Sequence, residues 1–285
     1  MAIKGAIIGD IVGSPFEFNN IYAKQNIKPQ DIVLKVDKGT IYCGYNDDKT
    51  TILSTKKCHY TDDTVLSLGL KWAIQHKKSF SEGFAKFAKK YRNSGFGGMF
   101  CNWVDSDDKK PYGSYGNGSA MRVSYIADFF NDKLKVAEMA RESALCTHNH
   151  EEGVKGAVAT AVCIGMAKHG LGKDDILSYG ISIYPKEKYA YSPEIPLSEI
   201  REYYRWNETC HGSVPAVIRC IYEANNYTEF IKNVLSLPCD TDTLCAIGGG
   251  IAEELFDNGD DELLSHTDEI LEEYLDDYLL AVLKE

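Results

Sequence analysis

The chain reads as an all-α protein with room for one small β-hairpin, and three observations carry that reading. Apolar residues recur at helical spacing along most of its length. Strand-like runs are confined to two neighbouring stretches, "DIVLKV" at 31–36 and "GTIYCGY" at 39–45. No fixed-period repeat is present, which sets a solenoid aside. At 285 residues the chain can bury a sizeable core, and no stretch reads as a flexible seam, so one domain over 1–285 is expected.

In chain order, the apolar spacing predicts helices near 3–14, 64–77, 80–92, 119–130 and 133–145. "GVKGAVATAVCIGMAKHG" follows, with Val154, Val158, Ala161, Val162 and Gly165 on one face and enough Ala and Gly for neighbouring helices to approach closely. Further helices are expected near 173–180, 197–205, 213–225, 228–236 and 241–256, with Ser213 and Pro215 as start chemistry for the third of these. The last segment places Leu264, Leu271, Leu275, Tyr278 and Val282 on one stripe and exposes an acidic face. Residues 18–60 form a long, polar, weakly periodic excursion, and stretches of that kind inside a domain are usually functional or mobile.

The formal charge of −11, from 31 basic and 42 acidic side chains, argues against a nucleic-acid backbone or an anionic membrane as main partner. No secretory signal opens the chain and no apolar stretch reaches membrane-spanning length. A soluble, cytoplasmic, monomeric protein is the expectation. Nine cysteines without a C-x-x-C pair, mostly in apolar surroundings, read as free buried thiols.

"YTDDTVLSLGL" crowds Asp62 and Asp63 at the threshold of an apolar helix. Capping by Thr61 and the positive end of the helix dipole explain one such motif. "LPCDTDTLCAIGGGIAEELF", about 180 residues downstream, repeats it with Asp240, Asp242 and Thr243. If the two helix starts meet, four carboxylates converge, and protonation or bound cations must settle them. Hard divalent ions with oxygen ligands suit the set, and two ions about 3.5–4 Å apart, bridged by a carboxylate, are the expected arrangement. Asp10 in "GDIVGSPFE" reads equally as a structural hydrogen-bonding residue or a ligand. Glu17, at the lip of the excursion, could reach a metal or activate a water.

"SYGNGSAMRVSYI" delivers Tyr115, Gly116, Asn117, Gly118 and Ser119 to a helix start, which makes an anion site or an ordinary turn. "NSGFGGMFCNWV" supplies Gly95, Gly97 and Gly98 in a similar loop, with Phe96 and Phe100 available for stacking. Neither is a Walker or Rossmann fingerprint. His148 and His150 in "CTHNHEEG" lack a third nitrogen or sulfur ligand at zinc spacing. That leaves His148 as a hydrogen-bond donor to a ligand and His150 as a helix cap.

Together "GAIIGDIVGSPFEF", "YTDDTVLSLGL", "SGFGGMF", "PYGSYGNGSAMRV", "CTHNHEEGVKGAVATA", "CHGSVPAVIRC" and "CDTDTLCAIGGGIAEELF" closely resemble the ADP-ribosylglycohydrolase family over nearly the whole chain. The resemblance implies a compact, single-domain orthogonal helical bundle with two Mg2+ or Mn2+ ions per chain in a central cleft. Thr61, Asp62, Asp63, Asp240, Asp242 and Thr243 match the metal-binding positions, and Glu17 matches a glutamate that contacts a metal or gates access. Glu17, Asp62, Asp63 and Asp242 are the expected catalytic residues. The loops at 95–98 and 115–119, with His148, match positions that hold ADP-ribose. One departure is Pro238-Cys239, where relatives usually carry Gly-Gly, a change that bears on how closely the backbone approaches a ligand.

The expected activity is metal-assisted hydrolysis of the bond between an ADP-ribosyl group and a protein, nucleic-acid or small-molecule acceptor. Two rivals stand beside it, a non-catalytic ADP-ribose or nucleotide binder and a two-metal phosphoesterase.

Overall fold

The computed structural model describes residues 1–46, 51–53, 57–256 and 261–285. Its helices in chain order are α1 Ala2–Gly13, α2 Ile21–Lys24, α3 Asp62–Gln75, α4 Phe80–Lys90, α5 Gly98–Asp105, α6 Ser124–Phe129, α7 Lys133–Leu145, α8 Glu151–Lys168, α9 Lys173–Ile183, α10 Leu197–Tyr203, α11 Cys210–Tyr222, α12 Tyr227–Leu235, α13 Thr241–Phe256, α14 Thr267–Tyr274 and α15 Asp277–Lys284. Between α2 and α3 lies a small antiparallel sheet of β1 Ile32–Asp37, β2 Thr40–Asn46 and β3 Thr51–Leu53. The protein is thus mostly helical, as its apolar spacing predicts, with the expected hairpin extended by a short third strand.

The first helix is the axis of the fold. It is apolar on all sides, and every residue except Lys4 is buried, the pattern of a helix surrounded by others. Its first amides are satisfied by Asp128, which accepts from Ala2 N at 2.9 Å and Ile3 N at 3.0 Å. Gly5, Gly9 and Gly13 recur every fourth residue and form a bare stripe against α13. A Cβ on Gly9 would stand 2.2 Å from the Cys245 carbonyl oxygen, and one on Gly13 would stand 2.5 Å from the Asp242 Cα. The two backbones therefore touch where a side chain would wedge them apart, and this contact brings the start of α13 beside the end of α1.

The hairpin turns on Lys38 and Gly39, both in the left-handed region (φ 49° and 78°), as the favoured two-residue turn requires. Gly39 also approaches α14 closely, since a Cβ there would lie 2.4 Å from the Glu269 carbonyl oxygen. Leu34 pairs with Cys43, and both side chains are buried. All nine cysteines are free thiols, as expected. No helix among the described residues is long and apolar enough to cross a membrane.

Several boundaries differ from the apolar pattern for identifiable reasons. The single C-terminal stripe is two helices, because Leu275 is extended and Asp276 caps a new start by accepting from Leu279 N at 2.9 Å. α11 begins before Ser213, capped by Thr209, which accepts from Gly212 N at 3.1 Å. Pro215 therefore sits inside the helix, and not in its first turn. The helix expected over 119–130 is a 3-10 turn, Asn117–Ser119, followed by the short α6. α5 has no counterpart in the expected helices, its eight residues being hidden behind the preceding glycines. Part of the long excursion, 47–50 and 54–56, lies outside the described residues.

If the α1–α13 contact governs the fold, Gly9→Val should overpack it and lower stability by about 1–3 kcal/mol or more. Urea unfolding followed by circular dichroism would read the change as a lower midpoint; an unchanged midpoint would contradict the packing argument.

Candidate functional site

The two acidic helix starts do meet, and α1 arranges the meeting. Asp10, fully buried, accepts from Thr61 N at 2.9 Å, Thr61 Oγ1 at 2.7 Å and Thr64 N at 3.1 Å, and also from the Thr64 hydroxyl. Both its oxygens are thus engaged in holding the N-terminus of α3, which assigns Asp10 a structural part. Thr241 Oγ1 donates to the Gly13 carbonyl at 2.9 Å and ties α13 to the end of the same helix. The sequence motifs did not reveal this scaffold, although the glycine spacing at 5, 9 and 13 was visible in them.

Asp63 and Asp242 are buried between the three helices, and Asp240 is buried beside them. Asp63 Oδ2 lies 3.3 Å from the Thr243 hydroxyl and 3.2 Å from Thr61 Oγ1. The single Thr61 proton already serves the shorter bond to Asp10, so Asp63 is poorly supported. Asp240 accepts from Asn117 Nδ2 at 2.8 Å. Asp63 Oδ1 and Asp242 Oδ1 are buried and have no hydrogen-bond partner. Oxygens of Asp10, Asp63 and Asp242 lie within 4.8 Å of one another, as do those of Glu17, Asp240 and Asp242. Asp242 belongs to both groups.

Among the described residues, no lysine, arginine or histidine forms an ion pair with these carboxyls. Their acidities show the strain. Burial, then the neighbouring acids, pushes Asp62, Asp63 and Asp242 well above the ordinary carboxyl range, and burial raises Asp10 and Asp240. Glu17 is pushed up to about 7 by burial and then by Asp240. Orphaned oxygens on Asp63 and Asp242, set among hard donors with no protein cation paired to them, fit divalent metal ions.

A cavity of about 400 Å³ opens over the cluster, with Glu17, Asp62, Asp240, Asp242 and Thr243 in its wall. Gly95, Gly97, Gly98, Gly116, Asn117, Gly118 and His148 also line it, with Gly95 and Asn117 directly beside the acids. Gly95 needs its left-handed φ of 100°, and a Cβ there would sit 3.3 Å from Asp62 Oδ1. Ser119 lies outside the lining, buried and donating to the Gly153 carbonyl at 2.7 Å. Phe96 also lies outside it, stacked on Phe100 at 5.3 Å, as does the exposed Tyr115, packed against His150 at 5.2 Å. His150 caps α8, as expected. Pro238 and Cys239 are absent from the wall, and the Cys239 thiol is buried against the Val234 carbonyl, so the departure from Gly-Gly does not intrude on the cleft.

Sequence reasoning missed Phe18, Tyr112, Arg122 and Glu208 in the same wall. Phe18 is 83% exposed and stacks on Trp206 at 5.8 Å. A second cavity, about 550 Å³, continues past Glu17, Phe18, Asp62 and Asp242 toward His59, Tyr60, Lys90 and Arg92. The acids therefore stand between two lobes.

Fold and site define a helical protein with a carboxylate-floored cleft of hard-cation character. The sequence profile of the ADP-ribosylglycohydrolase family matches residues 1–252, and the chain belongs to that family. It is similar to mouse (Mus musculus) ADP-ribosylhydrolase ARH3, 28% identical over 192 residues, covering 61% of this chain and 50% of the relative. Against human (Homo sapiens) ADP-ribosylhydrolase ARH3 the identity is 30% over 187 residues, 59% of this chain and 49% of the relative. The matched region spans about half the length of these relatives. A solved structure described as an "ADP-ribosylglycohydrolase-related protein complex" shares the fold, with a TM-score of 0.57 at 15% identity, over 90% of this chain and 88% of that one.

The raised carboxyl pKa values have a consequence for the metal-free protein. Between the ordinary carboxyl range near pH 4 and the value of about 7 at Glu17, the folded state keeps protons that the unfolded chain releases, so stability falls as pH rises. His148, held below its ordinary value by burial and then by Arg122, acts in the opposite sense. Chelator-treated protein should melt at a higher temperature at about pH 5.5 than at about pH 7.5, and magnesium or manganese should remove that difference. A melting temperature that rises over this interval without metal would contradict the assignment.

Proposed function

We propose that the protein, acting as one unit over residues 1–285, hydrolyses the bond between the distal ribose of an ADP-ribosyl group and its acceptor. The observation that carries this reading is the pair of orphaned buried oxygens, Asp63 Oδ1 and Asp242 Oδ1, in a carboxylate cluster flanked by glycine-lined loops. Family membership supports it, and so does the similarity to ADP-ribosylhydrolases.

Asp63, Asp240 and Asp242, with Glu17, Thr61, Thr243 and the cleft-facing Asp62, would hold two magnesium or manganese ions. When bound, such ions supply Lewis acidity and order ribose hydroxyls and water. The chain's own groups do the rest. The open Gly97-Gly98 loop lets a ligand approach the backbone closely, since a Cβ at Gly97 or Gly98 would meet nothing within 4 Å, and the turn at Gly116–Gly118 lines the same wall. A volume of about 400 Å³ falls within the range of small-molecule pockets. Glu17, half-buried and facing both lobes, can hold or release a proton near neutral pH, the property of a general acid or base. The negative potential of the cluster favours positive charge developing at the anomeric carbon. With ADP-ribose in the glycine-lined lobe, the acceptor would leave through the lobe lined by Tyr60, Lys90 and Arg92.

Asp63→Ala and Asp242→Ala should each reduce ADP-ribose release by on the order of 100-fold or more. The assay takes a panel of ADP-ribosylated arginine, serine, nucleic-acid and acetyl-ester substrates, with and without chelator, and identifies products by mass. Full activity in either variant would refute the site. Binding of ADP-ribose without turnover on any linkage would indicate a binder, and phosphate or AMP as product would indicate a phosphoesterase.

A further inference from the structure

Along the cleft wall, and behind it at Thr147, runs a chain of polar groups that the metal site does not use. Arg122 is fully buried, and its guanidinium rests on the Phe84 ring at 4.0 Å. Its Nη2 donates to the Ser143 carbonyl at 3.1 Å and to Thr147 Oγ1 at 2.8 Å, whereas Nε and Nη1 have no partner. Thr147, also fully buried, places the same hydroxyl 2.7 Å from His148 Nδ1. The other nitrogen, Nε2, makes no hydrogen bond among the described residues. It lies over the 116–118 turn, where a Cβ on Gly118 would be 3.3 Å away and one on Gly116 would be 3.5 Å away.

Proton counting settles the direction of this chain. A guanidinium has donors only, so the Thr147 oxygen must accept from Arg122. The hydroxyl then has one proton, and Nδ1 is the acceptor within reach. The opposite tautomer, with the proton on Nδ1, would aim two donors at Thr147 and leave a buried hydroxyl proton without an acceptor, which is unfavourable.

We infer that Arg122 and Thr147 are positioning residues that lock His148 as the Nε2–H tautomer, so that the ring presents a hydrogen-bond donor to the cleft beside Gly116 and Gly118. What it donates to, an acceptor oxygen of the ADP-ribosyl group, rests on the function proposed above; the tautomer itself does not. The arrangement suits an anionic ligand, because the alternative tautomer would point a lone pair at it. Burial, and then the cation at Arg122, hold the ring in its neutral form, in which the two nitrogens differ in role.

The test uses the full chain labelled with nitrogen-15 at histidine. Long-range nitrogen–proton correlation spectra of the wild type should show His148 protonated at Nε2, and Thr147→Val should lose or mix that pattern while Thr147→Ser keeps it. ADP-ribose titrated with excess magnesium should bind Thr147→Val roughly tenfold more weakly than wild type, with Thr147→Ser restoring affinity. An Nδ1-protonated wild type, or a Thr147→Val variant with unchanged tautomer and affinity, would overturn the inference. An Nε2-protonated His148 in a protein that fails to bind ADP-ribose would instead sink the proposed function and leave the lock standing.

Discussion

The close contact of α1 with α13, backbone against backbone, is the constraint on which the rest of the structure depends. Carboxylates do not gather by themselves. They gather here because Gly5, Gly9 and Gly13 let α13 lie directly on α1, and because Asp10 on the same helix grips Thr61 and Thr64 at the start of α3. One helix thus dictates the positions of both acidic motifs. The energy that assembles the cluster comes from apolar burial and hydrogen bonds around α1, and the repulsion within the cluster is what remains for protons or cations to relieve.

This division of labour explains which parts could be read in advance. The acidic helix starts announced themselves by repetition, and Asp62, Asp240, Asp242 and Thr243 share one cavity wall, with Asp63 buried beside it. Helical spacing located most helices, because it reports burial directly. It failed where side chains override spacing. Asp276 restarts a helix inside a continuous apolar stripe, and Thr209 opens α11 upstream of the Ser-Val-Pro that resembled a start. The glycine loops indicated a ligand wall but not which residues face it: Phe96, Tyr115 and Ser119 point elsewhere, Tyr112 and Arg122 at either end of the second loop line the wall, and Glu208 arrives from another segment through tertiary packing.

The cleft combines two kinds of surface on either side of the acids. One is open backbone around Gly97 and Gly98, suited to phosphates; the other carries Tyr60, Lys90 and Arg92. Glu17 and Phe18 stand between them, at the beginning of the long excursion that also forms the sheet. Asp63 and Asp242, by contrast, sit on helices locked by the core.

The central claim, that packing around α1 creates a paired site for hard cations, is tested most directly by anomalous diffraction from crystals grown with manganese. Two peaks are predicted, one against Asp63 and one against Asp240 and Glu17, with Asp242 between them. Crystals with an ordered cleft and no anomalous signal among these side chains, or with manganese bound only elsewhere, would contradict it.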